Sequence, residues 1–328
     1  MKTDQEAIVI SGCAVLSPVG LNMGQTCASI RAGVSRFAEH AFYECEGEDP
    51  EWDATEPLNA SSVPVIDPSI DGPERLFQLI VPPMKTLFSE AKLKRKDIEA
   101  GGFLLSLPYP DAAVKPWLLD KMFIDDLCRR TGLKSFKVHK VDQSGHTGVF
   151  CLIEDAMAIL RAGEVPFCIV GGADSYVLEE RLNILDQSWR IKSGKAVDGF
   201  IPGEAAVMLL LESAREAALR MHPVWATVTH CGFGKEPQPI GTDVNSTGKG
   251  LAEAIENALK PLGEAPEIQW VVCDLNGENY RGFEWGITQT RLRKIFHDVK
   301  RVNHPADCVG DVGAATGGML AACAVHAF

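Results

Sequence analysis

Several things that would announce a function are missing from this sequence. No two of its cysteines are separated by two residues, and no histidine pair has helical ligand spacing, so neither a zinc site nor any other metal or cofactor is expected. No apolar run approaches the ~20 residues that cross a bilayer. The longest, Ala205–Leu211 and Met319–Ala324, are far shorter. The opening residues, Met1–Glu6, are polar and lead into Ala7–Ile10 without a basic region before an apolar core, so no signal peptide is expected. Basic residues are outnumbered, 32 Lys and Arg against 44 Asp and Glu, for a net charge of −12. Such a chain is repelled by phosphate backbones and anionic membranes, which argues against nucleic-acid and membrane partners. The ten cysteines are scattered singly, most in apolar surroundings. A reduced, cytoplasmic protein with buried thiols is the expectation.

What is present is the composition of a globular chain, 46% hydrophobic and 23% charged over 328 residues. That length allows two average domains or one two-lobed domain. Ala7–Ile10, Gly102–Leu107, Phe136–Val141, Phe167–Val170, Ala205–Glu212, Val224–Cys231 and Trp270–Leu275 read as strands. Gln25–Ala32, Glu74–Ala91, Trp117–Arg130, Val149–Ala162, Lys249–Leu262, Gly286–Phe296 and Gly313–Ala327 read as helices. Pro82-Pro83 predicts a kink or break in the second of these. Glu44–Asp71, acidic and rich in proline and serine, reads as a surface excursion. Strands alternating with helices predict an α/β protein with parallel or mixed sheets. The rhythm is doubled around a seam near Arg215–Val224, giving an N-terminal half over 1–215 and a C-terminal half over 216–328.

Four segments in order then carry a resemblance. Ile8–Gly20 ends in Ser17-Pro18-Val19-Gly20, and Ala158–Glu164 continues into Cys168-Ile169-Val170-Gly171-Gly172-Ala173-Asp174. Asp198-Gly199-Phe200-Ile201-Pro202-Gly203-Glu204 follows, and then Gly310-Asp311-Val312-Gly313-Ala314-Ala315-Thr316-Gly317. Together they resemble the β-ketoacyl-ACP synthase branch of the thiolase superfamily. The last segment departs from the family pattern at Asp311, Ala314 and Thr316. The resemblance implies a thiolase-like fold: two similar α/β halves in α-β-α-β-α layers, with mixed five-stranded sheets. It also implies a dimer through the strand before the nucleophile, and a heterodimer with a ketosynthase or an acyl carrier protein as further partners. Members of the family end in a further strand pair, which residues 216–328 are expected to lack.

The family's chemistry needs a thiolate at a helix N-terminus and two histidines that stabilise the developing oxyanion. The elbow here is Asp142-Gln143-Ser144-Gly145-His146-Thr147-Gly148, without cysteine, and the nucleophile position falls on Ser144, Gly145 or His146. The resemblance places Asn276 and Asp311 where the two histidines stand, and Ala306 at the family lysine. A carboxylate at 311 would oppose a carbanion. Cys151, further into the helix, reads as core. Glu278, Tyr280, Arg281 and Glu284, beyond the strand Trp270–Leu275, read either as a substrate or partner lip or as part of a turn at Asn276-Gly277.

The resulting expectation is a ketosynthase-like protein inactive in decarboxylative condensation, acting as a non-catalytic partner subunit or a carrier-binding protein. One alternative is an unconventional acyltransferase or thioester hydrolase using Ser144 with His146, against Ser144 as a plain helix cap. Another is a thiolase-fold adaptor.

Overall fold

The computed structural model describes residues 6–47, 55–117, 119–242, 244–263 and 268–327. Its strands are β1 (Ile8–Leu16), β2 (Ala38–Glu46), β3 (Thr55–Ala60), β4 (Gly102–Ser106), β5 (Val138–Asp142), β6 (Phe167–Ser175), β7 (Glu204–Ser213), β8 (Ala226–Val228), β9 (Trp270–Val272) and β10 (Arg301–Asn303). The helices that matter below are α1 (Met23–Arg31), α2 (Gly72–Glu90), α3 (Lys121–Thr131), α4 (Gly148–Arg161), α5 (Glu179–Gln187), α6 (Ala214–Arg220), α7 (Lys249–Leu259), α8 (Asn279–Arg291) and α9 (Thr316–Val325).

The first sheet runs β5-β4-β6-β7-β1-β8. It is mixed: β4 is parallel to β5 and β6, while β7 is antiparallel to β6 and β1. The five strands expected are there, and β8 returns from beyond residue 215 to pair with β1 as a sixth. One face packs on α2 and α3 through Leu76, Ile80, Met84, Leu87 and Leu127. The other packs on α1, α4 and α9 through Cys27, Val149, Leu152, Met157 and Met319. With both faces covered, β6 is buried along its whole length, which explains its nearly continuous apolar sequence. α9 also touches β9, so it lies between the first sheet and the second. The second sheet differs from the five strands expected: among the described residues it holds only the parallel pair β9 and β10.

Two local expectations change. The excursion from Glu44 contains a hairpin, β2 with β3, rather than irregular surface alone, and its 48–54 segment lies outside the described residues. α2 continues through Pro82 and Pro83 without breaking. Leu79, Ile80, Pro83, Met84 and Leu87 are buried along it. Each such large side chain contributes about 1.5–3 kcal/mol, which offsets the hydrogen bonds that proline cannot donate.

Candidate functional site

The chain leaves β5 through Asp142, whose carboxylate accepts the Ser144 amide at 2.8 Å and the Ser144 hydroxyl at 3.2 Å. Gly145, at φ 65°, turns the backbone into a short 3-10 turn over Gly145–Thr147, and α4 follows. A side chain at Gly148 would run into Ser106 and Asp142, so the helix start can seat this close to β4 only with glycine there. Ser144 is therefore exposed and tied to Asp142. His146, on the turn itself, is the elbow residue that faces the interior.

His146 Nε2 lies 2.8 and 3.0 Å from the two carboxylate oxygens of Asp311. Asp311 offers only acceptors, so Nε2 is the protonated nitrogen. Asp311 is held by the turn of the Asp198–Glu204 segment: its amide donates to Ile201 O at 2.8 Å, and its carbonyl accepts the Gly203 amide at 2.9 Å. Asn276 Nδ2 donates to Asp311 at 2.7 Å and to Glu278 at 2.9 Å. The residues at the three positions flagged in the sequence thus meet, through His146 rather than Ser144 or Gly145.

Charge balances charge around them. Arg281 pairs with Asp274, lies 3.5 Å from Glu278, and brings Nη2 to 3.2 Å from His146 Nε2. Arg190 grips Glu278 with two bonds of 2.8 and 3.0 Å. Burial alone would push the Asp311 carboxyl up. The charge and hydrogen bond of His146, the charge of Arg281 and the Gly313 amide outweigh that and hold it well below the usual range. For Arg281, burial works against the charge, but Asp274, Asp311 and Glu278 more than restore it.

The four lip residues part company. Glu278 still lies in extended backbone, but α8 begins at Asn279 and carries the other three. Glu278 and Arg281 join the network. Tyr280 instead donates to Gln238 O at 2.7 Å, and Glu284 accepts from Ser246 at 3.0 Å, so both hold the 236–248 loop. Burial raises the Glu284 carboxyl.

Sequence reasoning missed Arg190, which lies 88 residues from its partner and belongs to no motif. It also missed Cys273, which lines the remaining cavity with His146, Asn276, Ala306, Asp311 and Thr316. Burial pushes the Cys273 thiol up, away from a thiolate; the same holds for Cys151. The cavity itself amounts to about 10 Å³, about the room of one water. No cluster of metal-ligating side chains occurs among the described residues.

Two motif residues prove to be scaffold. Glu204 pairs with Arg75 at 2.7 and 2.9 Å and accepts from Ser175 and the Val63 amide. Asp174 pairs with the buried Arg181 and accepts the Ala314 amide at 2.8 Å. Gly172 lets the Ala314 backbone come this close to β6. The Asp174 clamp fixes the segment that carries Asp311.

No protein-family model matches the chain. In sequence it is similar to the chloroplastic 3-oxoacyl-[acyl-carrier-protein] synthase I of Arabidopsis thaliana, 26% identical over 196 residues. That match covers 55% of this chain and 40% of the plant protein, so it spans well under half of the relative's length. In structure it matches a ketosynthase described as bound to a hexaketide and in complex with its type II PKS acyl-carrier protein (TM-score 0.77, 15% identity, 98% of this chain and 86% of that one). It also matches the ishigamide ketosynthase/chain length factor (0.75, 18%, 96% and 84%). A third match is the module 6 ketosynthase of the bacillaene synthase from Bacillus subtilis 168 (0.74, 15%, 98% and 60%). The chain has the thiolase-like ketosynthase fold.

Proposed function

We propose that this chain is a ketosynthase-fold protein that does not carry out decarboxylative condensation and acts by association with a ketosynthase or an acyl carrier protein. The observation that carries this reading is the His146–Asp311 hydrogen bond, with Asn276 donating to the same carboxylate, beside a cavity of about 10 Å³. The elbow presents an imidazole already bonded to a carboxylate, and no thiolate. The carboxylate stands where the family stabilises negative charge, so its field opposes an oxyanion. Nor is there room for an acyl chain beside these side chains.

Association is supported by the kinds of structure the chain matches, a ketosynthase/chain length factor and a ketosynthase in complex with its acyl-carrier protein. β5 supports it too, since it is the edge of the first sheet and pairs only with β4 among the described residues. An open edge of this kind accepts a strand from another subunit, in a homodimer or in a heterodimer with a ketosynthase. In this reading residues 1–215 form the half that presents the edge, and 216–328 the half that closes the cavity.

The test is to incubate the purified protein with acyl and malonyl thioesters and analyse the products by mass spectrometry. No condensed product is expected. A β-ketoacyl product that disappears in the His146→Ala variant would overturn the proposal.

A further inference from the structure

Three large apolar side chains stand in solvent: Phe42 is 66% exposed, Trp189 63% and Val197 74%. Each belongs to, or lies within two residues along the chain of, a residue bonded to the buried Asp186. The Tyr43 hydroxyl and the Glu46 amide donate to its Oδ2 at 3.3 and 2.9 Å. Lys195 Nζ lies 2.9 Å from its Oδ1. The Trp189 amide donates to its carbonyl at 3.0 Å. Phe42 is next to Tyr43, and Val197 lies two residues beyond Lys195.

Folding does not explain these residues. The amides of Trp189 and Arg190 bond back to Asp186 O and Leu185 O, closing α5 in the left-handed ending for which glycine is the ordinary choice. Trp189 takes φ 58° there and leaves its ring exposed, so it bears strain without burying surface. Phe42 is presented by a bulge, where the β2–β3 register jumps between Glu39 and Glu44. His40 builds the bulge: Nδ1 accepts the amides of Phe42 and Tyr43 at 3.3 and 3.1 Å, and Nε2 donates to Val177 O at 3.0 Å. The surroundings are acidic, with Glu39, Glu44, Glu46, Glu179, Glu180 and Asp198 all exposed. In the 188–198 loop, Lys192 is the exposed cation among the described residues.

We propose that this face docks a protein segment carrying cationic side chains around an apolar or aromatic anchor. Exposed aromatics supply the anchoring contact, and the carboxylates select a partner of opposite charge. The same charge disfavours a second copy of this face and an anionic bilayer. This proposal does not depend on the His146 site.

The experiment measures fluorescence anisotropy of a labelled 14-residue leucine–lysine peptide titrated with the full chain, beside a leucine–glutamate peptide. The lysine peptide should bind, more weakly as salt rises, and the glutamate peptide should not. Trp189→Gly should weaken binding at least tenfold while raising the thermal midpoint, because glycine suits the left-handed position. Phe42→Ser should weaken binding similarly, and the double variant Glu179→Gln, Glu180→Gln should flatten the salt dependence. Unchanged affinity in Trp189→Gly and Phe42→Ser, or equal binding of the glutamate peptide, overturns the proposal. So does a self-association in sedimentation that Trp189→Gly abolishes, which would assign the face to a second copy.

Discussion

Every residue of β6, and all of β7 but its last, is buried, whereas no residue of β9 or β10 is. The first sheet is enclosed by helices on both faces, and its strands are cemented by packing. The second, two strands wide among the described residues, meets the first across α9, and polar bonds run beside that contact: the Asp311 backbone on Ile201 and Gly203, and Arg190 on Glu278. Apolar burial holds the body of the protein, while hydrogen-bonded polar side chains line the cavity.

The sharpest way to break this contrast is to remove the nearest partner of a buried charge in the well-packed half. Asp174→Ala leaves Arg181, which is 2% exposed, with only Asp111 at 3.4 Å as a carboxylate partner, and should cost about 3–5 kcal/mol by chemical denaturation. A Leu210→Ala cavity in β7 should cost about 2–5 kcal/mol, while Val271→Ala in half-buried β9 should cost about 1 kcal/mol or less. If the two truncations cost the same, the contrast between the sheets fails.

Amide exchange tests it without mutation. β9 and β10 should exchange through openings smaller than global unfolding, and β6 and β7 only through the global one. Acidity gives a further, smaller effect. The Asp311 carboxyl is held below its unfolded value of about 3.9. Its contribution to stability is therefore present above that pH and is lost progressively as pH falls below it. Asp311→Asn should flatten the stability profile in that acid range; an unaltered acid limb would contradict the pairing with His146. Smallest of all is Ser144→Ala: a stability change within about 0.5 kcal/mol, and no acyl adduct on either protein after incubation with acyl thioesters. A wild-type adduct absent from the variant would revive the acyltransferase alternative.

Much of the first sheet was legible because burial leaves a direct mark on composition. Phe167–Val170 and Ala205–Leu211 are apolar throughout, and the Gly171-Gly172 pair signals close backbone approach. The hairpin after Ala38 was not legible, since its exposed strands lack alternation. Nor was the continuity of α2 through two prolines, which depends on what its buried face touches. Asp311 could be named from its place in an ordered motif, and Asn276 as the residue that follows the strand Trp270–Leu275. Tyr280 and Glu284 were grouped with Arg281 by sequence neighbourhood, but a helix starting at Asn279 turns them toward a different loop.

By itself the sequence determined the fold class and two of the three residues that meet at the cavity. Strand and helix patterning and glycine placement are local properties, and four short motifs in order carry them. Only the tertiary structure decided which elbow residue faces inward, because the 3-10 turn that begins at Gly145 leaves Ser144 in solvent and brings His146 to Asp311. It alone brought in Arg190, 88 residues from Glu278. Pairing between distant charges leaves no local pattern.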